Sequence, residues 1–245
     1  MKKLSVQMWS LKDYAEKDLD SALVAVKAAG FDGVELAGMY GLTAAELKGK
    51  LDKHGLKASG AHIGLDNFSN FEQLAADAKV LGYADIIVPS LDVQKLYSDT
   101  DAIVAGLNQA AQKCKAAGLR LGYHNHEFEF KDGINYLYVF ADGVKDMLFE
   151  VDVFWLKAAE QDYFEIYKRL GSRINILHIK EMNPKGIWEP NPVPGEGVAR
   201  IGEILAHAKD KGAIEWLVLE AENLKNTDYK EYLKKSAQYI KKQIA

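Results

Sequence analysis

Residues 19–36 read LDSALVAVKAAGFDGVEL. Leu19 to Ala29 carries helical periodicity, Gly30 closes it, and Gly33 to Leu36 is a short apolar strand. The same sentence recurs outward in both directions. Towards the amino terminus Leu4 to Met8 is a strand. Towards the carboxyl terminus the spacing predicts helix over Ala44 to His54, strand over Lys57 to His62, helix over Phe71 to Leu81, and strand over Ala84 to Pro89. A long helix from Asp99 to Ala117 leads to strand five, Leu119 to His126, and a less regular segment around Tyr136 to Phe140. Strand six is Met147 to Asp152, followed by helix over Tyr163 to Leu170. Strand seven is Ile174 to Lys180, followed by helix over Val198 to Lys211. Strand eight is Trp216 to Glu220, and Tyr229 to Ile244 closes the chain as a helix.

Gly30, Gly55, Gly118 and Gly212 stand where a helix hands over to a strand, the place for a left-handed glycine cap. Eight strand–helix units in 245 residues come to about 31 residues each, the size of a βα repeat. The expected fold is α/β, a single (β/α)8 TIM barrel over residues 1–245. An open doubly wound sheet would show a glycine-rich turn after its first strand; Met8-Trp9-Ser10-Leu11 stands there instead.

Composition narrows the function. A formal net charge of -4 argues against a nucleic-acid partner, which needs a basic surface to neutralise phosphates. Cys114 is the only cysteine, so neither an internal disulfide nor a thiolate metal cluster is available, and it reads as a buried helix residue. The start, MKKLSVQMWS, lacks the apolar run of a signal peptide. No stretch approaches the ~20 apolar residues of a membrane span. A cytoplasmic location without membrane contact is expected, with room for a homo-oligomer.

In a (β/α)8 barrel chemistry gathers at the carboxyl ends of the strands. Here those ends carry Glu35, His62, His124-Asn125-His126-Glu127, Asp152, His178 with Lys180, and Glu220 with Glu222. Residues two apart on a strand share a face. His124 pairs with His126, Glu150 with Asp152, His178 with Lys180, and Glu220 with Glu222. Each has a plain structural reading: a lone histidine is usually hydrogen-bonded, Asp152 caps the next helix, and Glu220 pairs with a lysine. Recurrence on successive strands points instead to one divalent metal on His124, Asp152, His178 and Glu220. Mixed nitrogen and oxygen donors suit Zn, Mn, Fe or Co better than Mg or Ca.

At these positions the sequence resembles the xylose isomerase-like TIM-barrel superfamily, in particular its sugar phosphate isomerase/epimerase branch. SVQMWSL is similar to the first strand of that family. Phe31-Asp32-Gly33-Val34-Glu35-Leu36 resembles its second strand, Leu177-His178-Ile179-Lys180-Glu181 its strand seven, Val193-Pro194-Gly195-Glu196-Gly197 its "G-E-G" loop, and Val218-Leu219-Glu220 its last strand. The resemblance implies a metal-dependent isomerase or epimerase of a sugar, sugar phosphate or cyclitol, working through an enediolate. It carries over Asp152, His178 and Glu220 as ligands and places a substrate-facing histidine at His62.

Two departures stand out. The strand-five ligand of the family is commonly the Glu of "E-N-H"; here His124 occupies it, which can still bind metal but does not simply replace a carboxylate as proton acceptor. This His-x-His resembles the inosose dehydratase-like members, which implies a lyase. The "D-x-x-H" after strand six is here Asp152-Val153-Phe154-Trp155, so Trp155 either stacks on a sugar ring or packs beneath a loop.

Glu220 is the expected base, with Lys180 and His126 as proton-handling partners. Glu35, His62, Trp155 and Glu196 are the expected substrate-binding residues. Trp9 and Trp188 are either walls or core. The partner is a small carbohydrate. Two readings compete from other classes. One is an abasic-site nuclease like endonuclease IV, which needs more ligands and a basic face. The other is a non-catalytic ligand-binding barrel, whose mark would be loss of the ligands.

Overall fold

The computed structural model describes residues 2–222, 224 and 227–245. Eight parallel strands close on themselves: β1 Lys3–Gln7, β2 Gly33–Leu36, β3 Lys57–His62, β4 Asp85–Val88, β5 Arg120–His124, β6 Met147–Asp152, β7 Ile174–Ile179 and β8 Trp216–Leu219. They lie in sequence order, with β8 beside β1. Right-handed βα crossovers give this order when each helix packs back on its own sheet. It is the (β/α)8 barrel expected from the alternation.

The helices form by local rules. Leu19–Ala29 starts at Asp18, whose side chain accepts from Ser21 N, and ends at Gly30 with φ 95°. Ala44–Lys53 opens on a full capping box, Thr43 with Glu46. The largest apolar cluster lies between helices and sheet, and Cys114 is buried in it. A smaller cluster of Ile87, Ile176, Trp216 and Val218 fills the barrel itself. Ile176 and Val218 lie two residues before His178 and Glu220 on the same strand faces. The apolar plug therefore supports the polar layer that begins at the carboxyl ends. No helix among the described residues is long and apolar enough to cross a membrane.

Four local expectations are corrected. β5 ends at His124 rather than His126. Asn125 leaves the ladder and stitches β5 to β6 through its side chain, accepting from Asp152 N at 3.0 Å and donating to Asp152 O at 3.3 Å. Residues 136–140 are not irregular; Tyr136–Gly143 is a helix started by Asn135. The helix expected from Val198 begins only at Ile201, because the chain before it is tied to Glu181. Gly212 is not a left-handed cap, since that helix ends at Lys209 with Asp210 beyond it. Gly82, with φ 81°, ends Phe71–Leu81 instead.

Candidate metal centre

Register sets the height of each side chain. His124 lies beside Glu150, Asp152 beside His178, and Gln7 beside Glu35. Glu220 follows directly on β8, with its backbone N–H bonded to Ile179 O. His124 Nε2, Asp152 Oδ2, His178 Nδ1 and Glu220 Oε2 converge. His124 stands 3.5 Å from Asp152 and 3.9 Å from Glu220, and His178 stands 3.9 Å from Asp152 and 2.7 Å from Glu220. The four residues can each offer one donor atom within 4.8 Å of the others. Donors bound at 2.0–2.2 Å in a tetrahedron stand about 3.4 Å apart. One of the four spacings matches that value, two are about 0.5 Å wider, and the fourth is a direct His178–Glu220 contact.

The supporting atoms point the same way. His124 Nδ1–H donates to Pro89 O at 3.3 Å, so Nε2 carries the lone pair. Burial first, and the neighbouring His178 second, push the His124 pKa down to about 3 and keep the ring neutral. Asp152 divides its labour. Oδ1 caps the following helix, accepting from Phe154 N at 2.8 Å and Trp155 N at 3.2 Å. Oδ2 is buried with no hydrogen-bond partner, as is His124 Nε2. A buried polar atom without a partner is costly, and here two of them face one another. Burial raises the Asp152 carboxyl to about 6, with Lys180 opposing. Burial would raise Glu220 too, but the Lys180 ammonium and His178 hold it well below the usual range.

Behind these donors stands a second quartet. His178 Nε2 lies 2.7 Å from both Glu35 Oε2 and Glu150 Oε1. His62 Nε2 lies 2.7 Å from Glu150 Oε1 and 3.2 Å from Glu35 Oε2. Burial alone would lower His62; Glu35 and Glu150 override it and raise the ring to about 10. Gln7 donates to Glu35 Oε2 at 2.7 Å.

A cavity of about 420 Å³ opens over the donors, lined by Gln7, Trp9, His62, His124, His126, Glu220 and Glu222 among others. Most expected site residues gather here, and some do not. Glu35 is fully buried behind His62 and does not line the cavity. Lys180 is fully buried, its ammonium 2.6 Å from Glu222, 3.7 Å from Glu220 and about 4.6 Å above the Trp155 ring. Trp155 packs beneath the site against His126, with ring centroids 5.1 Å apart. Glu196 is exposed on its loop and lines no part of the cavity. Trp9 stands half-exposed at the cavity, whereas Trp188 is 83% exposed outside it.

Several contributors lie outside the expected site residues. Buried Glu129 accepts from His126 N at 2.8 Å and from the Tyr123 hydroxyl. Glu181 accepts from Gly195 N and Ala199 N, both at 2.8 Å, and so holds the loop before the helix Ile201–Lys209. Gln7 and Glu150 were signalled only by their places near strand ends.

The family model of the xylose isomerase-like TIM barrel matches residues 23–243. The chain belongs to the xylose isomerase-like TIM-barrel family. Within it, the chain is 25% identical to an inosose dehydratase of Erwinia tasmaniensis, over 87% of this chain and 86% of that one. A sugar phosphate isomerase/epimerase of Parabacteroides distasonis superposes with TM-score 0.82 at 24% identity, covering 100% of this chain and 94% of that one. The IolI protein, solved with a bound zinc atom, superposes with TM-score 0.71 at 17% identity, covering 98% and 96%. Chains named for isomerisation and chains named for dehydration thus both stand among the proteins this member of the family resembles.

Proposed function

We propose that the chain is a metal-dependent dehydratase of a small polyhydroxylated ketone, a cyclitol or sugar. The observation that carries the reading is the convergence of His124 Nε2, Asp152 Oδ2, His178 Nδ1 and Glu220 Oε2, with His124 and Glu220 lining the 420 Å³ cavity. Two imidazoles and two carboxylates suit Zn, Mn, Co or Fe, and the zinc in IolI supports a divalent ion. Held there, such an ion supplies Lewis acidity to a carbonyl oxygen and its neighbouring hydroxyl.

The chain supplies the proton chemistry. Glu220 lines the cavity as a carboxylate and accepts the proton from the carbon beside the carbonyl. His62 lines the same cavity as an imidazolium and donates to the departing hydroxyl, which leaves as water. Elimination needs one acceptor and one donor, and both are present. Lys180 holds Glu220 and Glu222 in place from beneath. His126 and Trp9 contact the ring of the substrate. The inosose dehydratase relatives support this reading.

Isomerisation is the second reading, favoured by the single acceptor: Glu220 would return the proton to the adjacent carbon. Epimerisation through two metal-bound glutamates fits less well, because the strand-five donor is neutral His124.

The test is a panel of inososes and ketoses in D2O with the Mn2+- or Zn2+-loaded protein. The expected result is deuterium uptake with loss of water. Uptake without loss of water selects isomerisation. No uptake with any substrate, despite bound metal, overturns catalysis and leaves a ligand-binding barrel.

A further inference from the structure

We propose that Glu222 selects the substrate: its free carboxylate oxygen accepts from hydroxyls on the side of the molecule away from the metal and turns away anionic groups such as phosphate esters. The proposal deepens the preceding reading, on which it rests for the place of the metal.

Placement comes first. Glu222 lies two residues beyond Glu220, and both line the cavity. Its backbone N–H donates to Asn191 Oδ1 at 2.7 Å, and the buried Asn191 donates in turn through Nδ2 to Glu181 O at 2.7 Å. Its Oε1 accepts from the Lys180 ammonium at 2.6 Å. The same ammonium stands 3.7 Å from Glu220. The two carboxylates therefore sit side by side over one cation. Glu220 serves the metal and the proton, and Glu222 meets the part of the substrate beyond them.

The open oxygen is the second argument. Lys180 is fully buried, its ammonium 4.7 Å from the ring centroid of Phe154 and 4.6 Å from that of Trp155. A carboxylate present only to neutralise it could turn both oxygens to it. Glu222 bonds it through Oε1 alone, its side chain is 40% exposed, and no described residue donates to Oε2. A held carboxylate in a cavity wall with one oxygen unused is a ready acceptor for hydroxyl groups, because bonds to a charged acceptor are the strong ones.

Charge decides the substrate class. Among the described residues no lysine or arginine lines the cavity, whereas Glu220 and Glu222 both do. Lys180 lies behind them and already faces both carboxylates. The His62 imidazolium is paired with Glu35 and Glu150. Lys12 sits 3.5 Å over the Trp9 ring and is not part of the lining. An anionic group beside Glu222 meets a like charge, and repulsion of that kind discriminates between ligands as contacts do. A hydroxyl meets an acceptor instead. The arrangement fits an uncharged ketone with hydroxyls remote from its carbonyl.

The experiment measures binding rather than turnover. Inosose, fructose and fructose 6-phosphate, whose phosphate is remote from the carbonyl, are titrated into the Mn2+-loaded protein and into Glu222→Gln and Glu222→Lys, with water-proton relaxation at the bound Mn2+ as the signal and metal counted in each sample. Wild type is expected to bind inosose or fructose at least about tenfold more tightly than fructose 6-phosphate. Glu222→Gln is expected to narrow that ratio and Glu222→Lys to reverse it. A variant that is merely distorted loses both affinities alike, so a ratio unchanged in both variants overturns the proposal. A phosphate ester that binds wild type as tightly as the neutral ketones also overturns it, as does a wild type that binds neither ketone. The wild-type order needs no variant, so misfolding cannot mask the answer. Loss of water in D2O with the binding order reversed leaves the dehydratase reading standing and sinks this one; the expected order without loss of water does the opposite.

Discussion

The two ends of the barrel bury charge in opposite ways. At the amino end, Asp85 receives a two-pronged pair from Arg120, with Nε to Oδ1 at 2.8 Å and Nη2 to Oδ2 at 2.6 Å. Asn175 donates a third bond at 3.0 Å, and Glu215 takes the remaining face of the guanidinium. No buried side-chain atom of that cluster is left without a partner. At the carboxyl end, Glu35, Glu150, Asp152 and His124 each leave a buried atom unpartnered. Closed arrangements of the first kind serve stability. Open ones are costly and are maintained where a ligand completes them.

Breaking the open end should cost function and little stability. Asp152→Asn keeps an oxygen for the helix cap but weakens the donor set. The expected loss in kcat/KM is more than about a thousandfold, or ~4 kcal/mol in the transition state, with metal lost in the same proportion. Thermal unfolding of the metal-free protein should shift by less than about 1 kcal/mol. A metal-free Tm that collapses would place Asp152 on the structural side of the comparison.

Glu129 sharpens the contrast within the carboxyl end, since it is buried with hydrogen bonds and, among the described residues, forms no ion pair. Burial raises its pKa to about 7 from an ordinary 4.5. A carboxyl raised by folding favours the folded state while neutral. That contribution is full below pH 4.5 and is lost as pH rises to about 7, at a cost of about 3 kcal/mol. Urea unfolding of wild type and Glu129→Gln at pH 4.5 and 8 measures it. The difference between the two proteins should change by about that amount, and a constant difference would refute it.

At the closed end Arg120→Met should do the reverse. It strands a buried Asp85 carboxylate, whose pKa burial already raises against the pull of Arg120. The expected loss of stability is about 2 kcal/mol, below a fully buried pair because the guanidinium is partly open to solvent. Activity per folded molecule should stay at the wild-type value, as measured by titrating active sites. The smallest effect is expected at Glu196, exposed and away from the cavity. Glu196→Ala should move stability and kcat/KM by no more than about 0.5 kcal/mol each; a larger loss in kcat/KM would bring its loop over the site.

Much of this is legible in the sequence. Helix caps, left-handed glycines and apolar strands are local signals, so Asp18, Thr43, Gly30 and the strand sequences could be read one after another. His124, Asp152, His178 and Glu220 were legible because strand ends in a closed parallel barrel share one face of the molecule. Trp155 and Glu196 were harder. Whether a side chain stacks on a ligand or packs beneath it depends on neighbours distant in sequence, here His126 and Lys180 for Trp155. Glu129 carries no signal, because a carboxylate that accepts from backbone N–H groups looks like any surface acid; Glu181 stands in the strand-seven motif, but its hold on the loop at Gly195 and Ala199 does not show in the sequence.

The sequence by itself determined the alternation, the closure into eight strands and the strand ends that carry nitrogen and oxygen donors, because periodicity and capping act over a few residues. Only the tertiary structure decided how those donors divide. β5 stops at His124, Asn125 bridges to Asp152, and the register of β6 against β7 sets Asp152 beside His178. That register puts one ring nitrogen of His178 among the donors with Asp152 and Glu220 and the other against Glu35 and Glu150, a partition made by distances across strands and by no spacing along the chain.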